Sequence, residues 1–174
     1  MTRSNLLAAL LGVAALTLIS SARADIVRDL RIAPLRGLDT VRVTLLPLDR
    51  DVENDGLSAD LVRQDVELRL RKVGIRVLSE EEFKEKPLTP TISVKLLIAA
   101  HKGPAAGLCT FSLSLDLCEL VTLARDSKIT ALASTWHTSS LGAVGKGKVR
   151  ELRSEVTDAV DDFLNDFLAA NPKK

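Results

Sequence analysis

From Gly142 to Lys148 the chain reads GAVGKGK, the G-x-x-x-x-G-K spacing of a phosphate-binding loop. Such a loop lets backbone N–H groups converge on an anion at the start of a helix, with the lysine adding charge. The next residue is Val149, where magnesium would need a serine or threonine hydroxyl. The stretch therefore reads as a flexible glycine connection, with Lys146 and Lys148 as weak anion-binding candidates. Asp51, Glu53 and Asp55 alternate ahead of Gly56, like the opening of a calcium loop. The twelfth position holds Val62 in place of a bidentate glutamate. Asp49 to Gly56 thus reads as a solvated acidic loop, its charge well placed ahead of a helix.

His101 and His137 are the two histidines, and neither has a partner at metal-ligand spacing. Ser139 and Ser140 follow His137, but no G-x-S-x-G elbow surrounds them. No catalytic, metal or cofactor residues are assigned, and no cofactor is expected. Cys109 and Cys118 lie in one strand-like run. Extended chain would hold them about 30 Å apart, whereas a disulfide needs Cα atoms within about 7 Å. They also fall on opposite faces. Two partly buried free thiols are expected, with an intermolecular bridge or a bulged hairpin as the alternatives. Strict alternation puts Trp136 with Thr130, Leu132 and Ser134, opposite Ile129 and Ala131. If the latter face the core, Trp136 is exposed and marks an interaction spot beside His137. The candidate contact residues are Trp136, His137, Cys109 and Cys118.

These residues must be positioned by a small set of elements. Val41, Val43 and Leu45 alternate, and Leu46 and Leu48 extend the first strand. Ser58 to Val73 is a helix: Ser58 suits the N-cap, Val62, Val66, Leu70 and Val73 share a face, and Gly74 suits the C-terminal turn. Ile75 to Leu78 is a short strand, and Glu80 to Lys86 adds a helical turn before Pro87. Three strands follow at Thr91–Ala100, Leu108–Leu123 and Ile129–Thr138, with a phase change near Cys118 and Glu119 that suggests a bulge. Their short connections favour an antiparallel meander. Val149, Leu152, Val156, Val160, Phe163 and Phe167 then stripe a helix over Lys148–Ala169. The order β-α-β-β-β-β-α predicts an α/β fold, an α+β two-layer sandwich with one mixed sheet and both helices on one face.

Composition bounds the function classes. Arg3 precedes an uncharged apolar run from Leu6 to Ile19, and Ala22-Arg23-Ala24 fits a cleavage site, so residues 1–24 read as a signal peptide. Residues 25–39 are a lead-in, 40–170 a single domain, and 171–174 a tail. Removing the signal leaves about 150 residues, enough for one core without staples. Asp25 stands where a lipoprotein would carry its cysteine, so lipid anchoring is not expected. The formal net charge is only +1, and loss of Arg3 and Arg23 takes it below zero, which disfavours nucleic acid as a partner. One Trp, four Phe and no Tyr leave little for stacking platforms.

From Thr40 to Ala170 the element order resembles small exported α/β envelope domains, such as the CsgG-like domain and the TolB N-terminal domain. That resemblance implies a periplasmic assembly or scaffolding part and not an enzyme. The expectation is a periplasmic or secreted module acting through protein contacts, with an envelope protein or a second copy as partner and no stable membrane insertion after signal cleavage. The alternative is a carrier of a small apolar or anionic ligand.

Overall fold

Alternating valines make β1, Thr40–Leu45, with Val41 and Val43 buried, and Pro47 follows its end. The computed structural model describes residues 28–172; the expected signal peptide, residues 1–24, lies outside the described residues. After β1 a helical turn, Arg50–Asn54, occupies most of what the sequence presents as an acidic loop, with Val52 buried. Helix α1, Ala59–Lys72, starts where expected: the Ser58 hydroxyl accepts from the Leu61 N–H. Its apolar face of Val62, Val66 and Leu70 is buried. Gly74 ends it at φ +95°, a conformation that costs glycine little and a side chain much. β2, Arg76–Val77, pairs parallel with β1 and leads into the turn Glu80–Glu85, which Ser79 and Glu82 close with a reciprocal capping box.

β3, Thr91–Ala100, pairs parallel with β1 on its other side. β4, Leu108–Leu123, and β5, Asp126–Gly145, then continue as the antiparallel meander. The strand order is β2-β1-β3-β4-β5, one mixed sheet. A 3-10 segment, Lys146–Glu151, feeds helix α2, Leu152–Ala170, which buries Val156, Val160, Phe163 and Phe167. The two helices are tied together by Arg153 and Asp65, with Nη2 2.8 Å from Oδ1, and by Arg69 and Asp161. Both cover one face of the sheet, as the two-layer expectation has it.

Three details refine the expectations. Within the lead-in, residues 28–32 are helical, Ala33–Leu35 forms a 3-10 turn, and Ile32 and Leu35 are buried. The last described residues join them, since Asn171 Nδ2 donates to the Leu35 carbonyl and its Oδ1 accepts from Gly37 N–H, each at 2.8 Å. The bulge expected near Cys118 is present as a register shift there, but its extra residue is on β5: Leu117 faces Trp136 while Cys118 faces Ser134, so Thr135 is the extra residue. β4 itself keeps its alternation, which sends Leu120 outward. Finally, Gly142 and Gly145 are not a flexible connection but part of β5. Gly142 pairs with Phe111, and a Cβ there would lie 2.7 Å from the ring. The glycine spacing that resembles a phosphate loop thus makes room for a phenylalanine.

Candidate functional site

The face of the sheet away from the helices carries the candidate site. Register stacks its outward residues in rows across three strands. Ser93, Asp116 and His137 form one row; Lys95, Ser114 and Ser139 the next; Leu97, Ser112 and Leu141 the third. Asp116 is the centre of a polar island and is only 9% exposed. Its Oδ1 accepts from the Ser134 hydroxyl at 2.9 Å and lies 3.0 Å from His137 Nδ1. Its Oδ2 is 3.3 Å from the Ser114 hydroxyl and 3.7 Å from Lys95 Nζ. Burial alone would raise the Asp116 pKa, but the bonds from Ser134 and His137 and the Lys95 charge outweigh it and hold the carboxyl below its ordinary value. The Ser134 hydroxyl is also 3.2 Å from the Trp136 carbonyl. The arrangement fixes one carboxylate and orients one imidazole.

Exposed leucines lie on either side of the island along the strands, Leu97 (58%) and Leu141 (81%) in one row and Leu132 (76%) beyond the other side. Leu120 and Leu132 face each other across β4 and β5 and wall a groove of about 350 Å³, completed by Phe83, Pro87, Leu88 and Cys118. Arg42 lines the same groove. Its guanidinium lies 4.1 Å from the Phe83 ring centroid, and its Nη2 is 2.9 Å from Glu80. The Cys118 thiol is partly buried; desolvation first, and then the Asp116 charge, push its pKa up and leave it a poor nucleophile.

The other candidates lie elsewhere. Trp136 is 2% exposed and cannot be a surface contact. Its ring meets Phe163 edge-on at 5.1 Å, and its indole N–H donates to Asp166 at 2.9 Å. Thr135 is the reason: one extra residue inverts the alternation, so Ala131 and Ala133 point inward before it and Trp136 after it. Cys109 is buried and lines a cleft of about 360 Å³ at the end of the sheet. The two thiols are free and sit toward opposite ends of β4. Lys146 and Arg50 line that same cleft, but Asp49, Asp51 and Asp55 outnumber them there, and their carboxylates repel an anion. Lys148 points to Glu151, 3.7 Å away, so the two lysines are not brought together around one ligand. The alternating carboxylates do not converge either: among the described residues no group of three or more His, Cys, Asp or Glu side chains is placed to hold a metal ion.

Sequence reasoning singled out His137 but missed Asp116, Lys95 and Ser134. The available signal was a lone acid, Asp116, on the polar side of an otherwise uncharged strand segment from Leu108 to Cys118. No helix among the described residues is long and apolar enough to cross a membrane.

No family model matches this chain, and no curated protein does. Among solved structures it is similar to the PelC dodecamer from Paraburkholderia phytofirmans, at 14% identity and a TM-score of 0.41, over 76% of this chain and 88% of that one. A point variant of the same dodecamer gives 14% identity and a TM-score of 0.42, over 76% of this chain and 90% of that one. A likeness at this level says nothing of what this chain binds.

Proposed function

We propose that this chain is an exported, non-enzymatic α/β module that acts through protein contacts in the cell envelope, with residues 1–24 as its export signal. The observation that carries the contact reading is the uncovered sheet face, where exposed Leu97 and Leu141 lie to one side of the Asp116 island and Leu132 to the other. Exposed leucines flanking a pinned polar centre match the make-up of contact surfaces, apolar groups beside oriented polar ones. Crosslinking in living host cells, with a tag after Lys174 and mass spectrometry of the captured material, is the test. A discrete envelope partner that is lost in a Leu97→Lys/Leu132→Lys variant of unchanged fold is the expected result. Equal capture by wild type and variant would refute the sheet face as the contact.

A second reading, a carrier of a small apolar ligand, is favoured by the groove beside Leu120 and Leu132. Native mass spectrometry of protein purified from its own host tests it. Retained mass that disappears in Leu132→Lys supports a carrier, and a clean apo mass after mild handling sinks it.

A further inference from the structure

The two edges of the sheet are built very differently. β2 is two residues long, ion-paired through Arg76 to Glu82, and followed at once by a capped helical turn. Short length and charge are the usual ways to blunt a sheet edge. β5 is twenty residues long, is the outermost strand on its side, and pairs only with β4 among the described residues. Its charged residues, Asp126 and Lys128, are confined to its first three positions. From Ile129 to Gly145 it contains no Lys, Arg, Asp, Glu or Pro. The Thr135 bulge protects only the first half, since a kinked strand makes a poor template. The second half, Trp136 to Gly145, is regular and uncharged, and among the described residues no further strand pairs with it, although Arg31 lies over the Trp136 ring at its near end.

We propose that the second half of β5 pairs antiparallel with the same segment of a second copy of this chain, about a twofold axis through Leu141. This deepens the contact reading above by naming one partner and its surface. An isologous interface requires a surface complementary to itself. With Leu141 opposite its symmetry mate, Ser139 faces Ala143 and His137 faces Gly145 of the other copy, all on the outer face and with no charge opposed to like charge. Leu141 is the most exposed large apolar side chain among the described residues. Its row continues through Ser112 to Leu97, so the pairing extends the outer leucine surface across both copies. An edge of free N–H and C=O groups selects an extended backbone as partner, and self-pairing of one uncharged segment meets that need.

The test is sedimentation of the purified full chain, with Leu141→Cys and Leu132→Cys each placed in a Cys118→Ser background. Wild type is expected to sediment as a reversible dimer. Leu141→Cys should oxidise to a covalent dimer, because directly opposed residues in a ladder have Cα atoms about 4.5–5.5 Å apart, within disulfide reach. Leu132→Cys, beyond the bulge and far from the axis, should remain uncrosslinked. Leu141→Lys should raise the dimer Kd about tenfold or more, since it opposes two like charges and removes the leucine pair. Its circular dichroism and melting temperature as a dilute monomer should match wild type. A wild-type monomer at every concentration overturns the proposal. So does a dimer whose Kd ignores Leu141→Lys, one that crosslinks through Leu132→Cys instead, or a β5 edge occupied by a foreign chain. A monomer leaves the envelope contact to its own in-cell test, and a dimer with no captured envelope partner has the opposite meaning.

Discussion

Asp116 shows how much one carboxylate depends on its neighbours. Its pKa lies below the ordinary value because Ser134, His137 and Lys95 together exceed the cost of its burial. The unfolded chain therefore takes up a proton at a higher pH than the folded chain does. The stabilisation is fully present above the unfolded pKa, about 3.9, and is lost as pH falls through the lower folded pKa. Asp116→Asn removes it. Urea denaturation of both proteins should show a gap that is widest near neutral pH and closes as pH falls below about 4. A gap that stays constant over that range would mean the carboxylate charge contributes nothing. Thr135 illustrates a different dependence. It takes no part in the polar island, yet its insertion decides that the indole beside it packs on Phe163 and not in solvent.

At the scale of elements, β4 and β5 fit each other through Phe111 and Gly142. A methyl group at position 142 would meet the ring at 2.7 and 2.8 Å, closer than packed carbons approach. Gly142→Ala should therefore destabilise the protein by about 1–3 kcal/mol, the usual cost of overpacking. Phe111→Leu in the same chain should recover part of that loss in a double-mutant cycle of chemical denaturation. Simple additivity of the two changes would show that ring and methyl do not collide.

This contact also marks where the sequence becomes hard to read. Helices α1 and α2 and strands β3 and β4 are legible, because Val62, Val66 and Leu70, or Ile92, Val94 and Leu96, repeat at the period of their element. The second half of β5 is poor in strand formers, and Ser139 to Gly145 looks like a loop until β4 holds it straight through a long ladder. The face taken by Trp136 was not legible, because a phase change near Cys118 does not say that the extra residue sits on the partner strand, at Thr135. The Asp116 island needed the register of two strands, and register belongs to the pairing and not to either strand alone.

Over the whole molecule, the two ends of the described chain are fastened to each other. Asn171 donates to the carbonyls of Leu35 and Phe167 and accepts from Gly37 N–H, so one amide joins the end of α2 to the segment before β1. Asn171→Ala should cost about 1–3 kcal/mol, from several lost hydrogen bonds, and thermal denaturation should show a melting temperature lower by several degrees. An unchanged melting temperature would mean that the buried Ile32 and Leu35 hold that segment without help.

The same clasp dictates an order of events during biosynthesis. Leu35 is made early and waits for a partner 136 positions downstream. Drawing together segments that far apart costs roughly 4 kcal/mol of loop entropy, and Asn171, just past α2, repays part of it. While the ribosome still holds the end of α2, the growing chain has its sheet segments but not the helix that covers Trp136 and β4. The fold therefore closes only once α2 has left the ribosome, and until then the chain stays open to whatever receives it.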